Sequence, residues 1–180
     1  DESNAPYGLA KRGVLTYAQG CRQQYGFPAI TLIPTNIYGP GDHFGQYGHA
    51  IPCIIEKISH AVTYGSKKVL LWGTGKPTRD FLFVDDCVEA FILAAERYDD
   101  PKPVNIASGV ETSISETAEI IADLLGYEGV IEYDSGKPDG QPRRCLDTSR
   151  AKVFGYVAQT DLRLGLEQTV LSYRALAVAG

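Results

Sequence analysis

Apolar side chains at Tyr7, Ala10, Val14, Tyr17, Ala18, Cys21 and Tyr25 recur every three or four residues, and Gly26 with Pro28 closes the run. That is the period of one helix face, so the spacing predicts a helix of about five turns over 6–26. The pattern then changes. Ala29 to Ile33 is a short apolar run with branched residues between Pro28 and Pro34, which predicts a strand buried on both faces. Residues 36–42 read as a loop. Ile51, Ile54, Ile55 and Ile58 return to helical spacing within a predicted helix from His49 to about Val62, with Pro52 tolerated in its first turn.

Downstream, 69–72 is a predicted strand before the turn 73–77, and 81–84 is a short extended segment. Asp85 is placed to cap a helix running to about Glu96, and 104–107 reads as another buried strand. Ser113 and Glu116 have capping-box spacing and open a helix that ends at Gly126. A strand at 130–133, a polar loop at 135–145, a short helix at 148–154 and a terminal helix at 161–178 complete the pattern. Strands and helices alternate throughout, which predicts an α/β fold with at least partly parallel pairing. The chain contains no internal repeat or linker.

Composition narrows the function classes. The 180 residues are 44% apolar and 22% charged, with mean hydropathy −0.13, which excludes a disordered tail or fibre and suits one structural unit. A chain this long buries roughly 70% of its unfolded surface, so disulfides are not required. The net charge of −5 argues against a nucleic-acid surface, and an anionic ligand must be met by cations gathered locally. Cys21, Cys53, Cys87 and Cys145 show neither paired nor metal-ligand spacing, and are expected to be free thiols in a reducing cytoplasm. No apolar run reaches the ~20 residues of a membrane span, and Asp1-Glu2-Ser3 is the wrong chemistry for a signal peptide.

Tyr7 and Lys11 stand four residues apart, so a helix places a phenol and an ammonium one turn apart on one face. A lysine so held is expected to lower the phenol pKa and make Tyr7 a proton donor or acceptor near neutral pH. A core tyrosine beside a solvated lysine fits the same spacing. The candidate cations for an anionic ligand are Lys57, Arg79, Lys137, Arg143 and Arg144, with arginine the better fork for phosphate oxygens. Arg143 and Arg144 also fit a solvated loop pair. Trp72 reads as a core indole, and Asp85-Asp86 as a helix cap with its neighbour. Neither a Gly-x-Ser-x-Gly elbow nor a metal-ligand cluster is present.

Several motifs follow one another in a set order: Tyr7-x-x-x-Lys11, Pro34-Thr35-Asn36-x-Tyr38-Gly39-Pro40, His49-x-Ile51-Pro52, Trp72-Gly73-Thr74-Gly75 with Arg79, and Lys137-Pro138-Asp139-Gly140-x-Pro142-Arg143. In this the chain resembles the C-terminal portion of extended short-chain dehydrogenase/reductases of the NAD-dependent epimerase/dehydratase family, and within them the GDP-L-fucose synthase branch. The resemblance implies that Tyr7 is the active-site phenol and that Lys11 supports it and contacts the nicotinamide ribose. It implies that Pro34 to Asn36 line the nicotinamide and sugar pocket, and that His49 is the acid of the epimerisations. Lys57 and Arg79 then lie near the nucleotide and its diphosphate, with Trp72 and Lys137 on the same substrate. For His49 a half-exposed histidine at a helix start is the plainer alternative. The stretch from Asp42 to His49 is one residue shorter than the family pattern.

What the pattern lacks matters as much. A dinucleotide cradle needs a strand, a glycine-rich turn and a helix whose first amides hold the diphosphate. Only six residues precede Tyr7, and neither Gly39-Pro40-Gly41 nor Gly73-Thr74-Gly75 leads into such a helix. The chain contains no methionine, so either an initiator was removed or the chain is cut from something longer, and the motifs favour the second expectation. The expected fold is therefore the last strands of a Rossmann-like parallel sheet (about 1–40 and 81–110) with a nucleotide-sugar-binding region (about 41–80 and 111–180).

NADP(H) is the cofactor the resemblance implies for the full-length family, and this piece is expected to bind none and to transfer no hydride. A GDP-linked sugar is the expected ligand. A homodimer is expected through the 6–26 helix or a bare sheet edge, which must otherwise be covered. The alternative is a stand-alone nucleotide-sugar-binding or protein-interaction module.

Overall fold

The computed structural model describes residues 5–45 and 48–179; residues 1–3 and part of the 42–49 stretch, used in the sequence reading, lie outside them. In chain order the elements are α1 (Ala5–Tyr25), β1 (Leu32–Pro34), β2 (Asn36–Tyr38), α2 (Ala50–Tyr64), β3 (Lys68–Trp72), β4 (Thr78–Phe83), α3 (Val84–Arg97) and β5 (Val104–Ile106). They continue with β6 (Glu111–Ser113), α4 (Ile114–Leu125), β7 (Val130–Asp134), β8 (Arg143–Arg144), a 3-10 turn (Ala151–Phe154) and α5 (Leu162–Ala179).

The strands form small, mostly parallel pairings. β1 pairs with β5, β3 with β7, and β4 with β2 and β8, all parallel; β6 runs antiparallel to β4. β4 is the wall between two apolar clusters, because successive side chains of a strand point to opposite faces. Phe81 and Phe83 face a cluster of Ile51, Ile55 and Ile58 from α2, Ile121 from α4 and Leu166 from α5. Leu82 faces Cys87, Ala90, Val104, Ile106, Phe154 and Tyr156. Each fully buried isoleucine of α2 contributes roughly 1.5–3 kcal/mol. Helices α2 and α4 stop where Gly65 and Gly126 turn left-handed, φ 66° and 70°, which a side chain would resist.

Four expectations need correction. The 36–42 segment is not loop throughout, because Asn36–Tyr38 pair with β4 as strand β2. The 29–33 strand is not buried on both faces: pairing begins only at Leu32, Ile33 is exposed, and Thr35 divides the segment between two pairings. Thr35 instead donates its N–H to Ile106 O and its hydroxyl to Asp80 O. Asp85 does not cap α3. The cap position is Phe83, without a side-chain bond, and it is buried Asp86 that accepts the N–H groups of Gln159 and Thr160 at 3.3 and 3.0 Å. Trp72 is not a core indole: in β3 Val69 and Leu71 point inward and the indole is 66% exposed. The capping box is present as read, Ser113 Oγ accepting from Glu116 N at 3.0 Å.

Candidate functional site

A cleft of about 790 Å³ opens between the start of α1, the 34–42 segment, His49, Val84 and Arg144. Tyr7, Pro34, Asn36 and His49, all singled out in the sequence, line it together. Lys11 lies one turn along α1, its Nζ 5.4 Å from the centre of the Tyr7 ring. Tyr7 is 60% exposed, so the phenol meets solvent on this face rather than a packed wall.

Asn36 is fixed by β4. Its Nδ2 donates to Asp80 O at 2.9 Å, which leaves Oδ1 turned to Arg144 Nη1 at 3.5 Å. His49 is the exposed cap residue of α2 and makes no side-chain cap bond, so its ring is not consumed by the helix. The preceding loop is held by Cys53, whose thiol donates to Gly45 O and Gly48 O at 3.3 and 3.1 Å. Burial, with Glu56 nearby, pushes that thiol up from its usual range.

A second group lies apart from the cleft. Lys57 Nζ and Lys137 Nζ sit 5.8 and 5.6 Å from the ring of exposed Trp72, and Lys57 also donates to Leu70 O at 3.0 Å. Both ammonium groups lie over the indole ring, where its π-face attracts a cation. Arg79 belongs with the first group: it shares a small cavity of about 70 Å³ with Asn36 and His49. Its Nη1 donates to Thr78 O and Gln141 O, both at 2.7 Å. Burial and neighbouring Arg144 hold its pKa below the usual arginine range.

Sequence reasoning gave Asp80 no role. Its carboxylate is fully buried and accepts Ser108 N, Ser108 Oγ and Gly109 N at 3.0, 2.7 and 3.1 Å, tying the turn after β5 to the strand that holds Asn36. The Ser108-Gly109 turn beside a buried strand was the available signal. Arg144 was weighed only as a phosphate cation or loop pair, and the structure puts it at the cleft. Among the described residues no cluster of three or more His, Cys, Asp or Glu is placed to hold a metal ion, and no helix is long and apolar enough to cross a membrane.

The sequence pattern of the NAD dependent epimerase/dehydratase family matches residues 1–107. The chain is 39% identical over 170 residues to GDP-L-fucose synthase 1 of Arabidopsis thaliana, covering 94% of this chain and 53% of that protein. It is 35% identical over 179 residues to GDP-L-fucose synthase of Escherichia coli K12, covering 94% and 56%. The chain thus spans about half the length of the curated relatives it matches. The fold superposes on a GDP-L-fucose synthetase of Naegleria fowleri bound to NADP with TM-score 0.92, at 24% identity, covering all of this chain and 59% of that one. A UDP-glucose 4-epimerase of Thermotoga maritima with UDP-glucose gives TM-score 0.86 at 27% identity, covering 96% and 54%.

Proposed function

Because the chain belongs to the NAD dependent epimerase/dehydratase family, we propose that it is the substrate-gripping portion of a GDP-sugar epimerase/reductase of the GDP-L-fucose synthase kind, acting on a GDP-linked 4-keto-6-deoxy sugar. One observation carries this reading: the cleft of Tyr7, Asn36 and His49 adjoins a cavity that Arg79 lines, and exposed Trp72 forms a separate group with Lys57 and Lys137. A sugar, a diphosphate and a flat base, in one ligand, would call on these three features in turn.

In this reading Tyr7 exchanges a proton with a sugar oxygen, and Lys11 beside its ring stabilises the phenolate by Coulomb attraction. Carbons flanking a keto group can lose a proton to a base and regain one from an acid; His49 is assigned the acid's part of the 3,5-epimerisation, and no residue of this chain is assigned the base's. Asn36, held by Asp80 O, orients the sugar. Arg79 meets the diphosphate, Trp72 stacks on the base, and Lys57 and Lys137 flank it.

Tyr7, Lys11, Pro34 and Asn36 suit the nicotinamide end of NADP(H), but these 180 residues contain no strand, glycine-rich turn and helix for its diphosphate. The chemistry assigned to the chain therefore stops at substrate grip and proton handling; alone it transfers no hydride. We read 1–40 and 81–110 as the dinucleotide-sheet part and 41–80 and 111–180 as the substrate part. A homodimer through α1, whose apolar side chains are exposed, and a reducing cytoplasm suited to four free thiols belong to the same proposal.

Trp72 is the sole tryptophan, so its fluorescence tests the reading directly. GDP-fucose or GDP-mannose titrated into the chain should change the emission saturably, with no response to guanosine-free sugar phosphate. A flat titration would sink the proposal. Micromolar calorimetric binding of NADP(H) would overturn the claim that the chain alone grips only substrate. Saturable binding of these sugars, with no deuterium uptake at C3 or C5 when a GDP-linked 4-keto-6-deoxy sugar is supplied in solvent deuterium, would favour a stand-alone binding module.

A further inference from the structure

Arg79 and Arg144 face each other across the parallel β4–β8 pairing, where they are register partners. Two guanidinium groups so placed repel, and Arg144 contributes to the lowered pKa of Arg79. Among the described residues neither takes part in an ion pair, whereas Arg143, next along the chain, is held by both oxygens of Glu111 through Nε at 2.9 Å. Asp139 lies near enough to Arg79 to oppose the lowering, but its carboxylate oxygens are engaged by Thr74 N and Thr74 Oγ1. An arginine pair without a counter-ion, in a chain of net charge −5, is an arrangement that an anion would stabilise.

Geometry says which anion. Arg144 lines the cleft with Tyr7 and touches Asn36, while Arg79 lines the adjoining cavity with Asn36 and His49. The pair therefore lies where the cleft meets the adjoining cavity, next to the Asn36 and His49 that line both. We propose that Arg144 is a second diphosphate-binding arginine, closing on the substrate's diphosphate opposite Arg79 while bracing the Asn36 carboxamide. This rests on the nucleotide-sugar reading above and adds to it a residue that acts at the phosphate, on the cleft side.

The test measures affinity of the full chain for GDP, GMP and guanosine by calorimetry, in wild type, R144Q, R79Q and R143Q, with thermal midpoints as a folding control. Arg144 is exposed, so R144Q should keep the wild-type midpoint. It should weaken GDP by about tenfold or more, GMP by less and guanosine not at all. R143Q breaks the Glu111 link that helps hold β8, so any loss it shows should be smaller than that of R144Q. Equal GDP affinity in R144Q and wild type, with R79Q impaired, would overturn the inference and leave the nucleotide-sugar reading standing. An equal loss for guanosine would show that Arg144 acts through the fold and would also overturn it. Failure of the wild type to bind GDP would remove both.

Discussion

Helices α1 and α2 carry similar sequence signals and end in opposite circumstances. Both repeat apolar residues every three or four positions. Ile51, Ile54, Ile55, Ile58 and Ala61 of α2 are buried, largely against α4 and the strands. Helix α1 is longer, 21 residues, and buries none; Leu9, Val14, Tyr17 and Tyr25 are 74%, 67%, 75% and 79% exposed. Its tie to the body is polar and lies at its C-terminal half: Arg22 Nη2 donates to Asp99 O at 3.0 Å and pairs with the Asp99 carboxylate, and Gln19 reaches Pro101 O. Periodicity announces that a face needs burial; it does not say what buries it. The consequence is chemical, because Tyr7 and Lys11 ride on the uncovered helix while Asn36, Arg79 and Trp72 are set by the packed strands.

The largest effect separates the two helices outright. Ile58→Ala in α2 removes a fully buried side chain and leaves a cavity, costing about 3 kcal/mol, whereas Val14→Ala in α1 should stay within about 0.5 kcal/mol in the dilute single chain. Urea unfolding of both variants measures the contrast. Equal costs would mean that α1 packs against something in solution, as the proposed homodimer requires, and dilution would then shift the Val14→Ala midpoint.

This contrast also marks what could be read from the chain. The bounds of α1, α2, α4 and α5 fall within a few residues of those predicted, because periodicity, Gly26, Gly126 and the Ser113 cap are local signals. Partners were not legible. Trp72 follows three apolar residues and looks like core, yet pairing of β3 with β7 turns Val69 and Leu71 inward and the indole out. Residues 135–145 read as a polar loop because β8 is two arginines long and exists only through register with β4. The cleft residues Tyr7, Asn36 and His49 were named from motif order, but Asp80, which secures the strand beneath Asn36, required the 108–109 turn to be seen folded back onto it.

Asp80 gives the next test, on the packed side of the comparison. Asp80→Ala strips the acceptor from Ser108 N and Gly109 N, and a buried unmet donor costs about 1–3 kcal/mol. The loss should appear as a lowered urea midpoint together with weaker nucleotide binding, since β4 holds Asn36 and Arg79. A variant that loses stability but binds GDP normally would show that the turn is not coupled to the site. On the α1 side, Arg22→Ala should cost at most about 1 kcal/mol, the exposed-pair range, because Asp99 is 74% exposed. Amide exchange should resolve it: α1 amides already exchange faster than those of α2 and α4, and the variant accelerates α1 alone. Uniform acceleration would mean that the tether supports the body as well.

The smallest expected effect concerns pH and returns to the strands beside the arginine pair. Hydrogen bonds from Thr78 and from Arg143 hold the Glu111 carboxyl below the usual glutamate range. A group whose pKa is depressed in the folded state contributes stability above its unfolded value and loses it as pH falls through the folded value. Wild-type stability should therefore decline slightly on the acid side of the ordinary glutamate range, and Glu111→Gln should flatten that limb. Glu111 joins β6 to β4 and, through Arg143, to β8, so its protonation frees the strand that carries Arg144. GDP affinity should then fall with pH in wild type more steeply than in Glu111→Gln, while amide exchange in α1 stays unchanged between the two. If acid loosens α1 in wild type and spares it in the variant, the uncovered helix and the packed strands are not independent, and the separation between them fails.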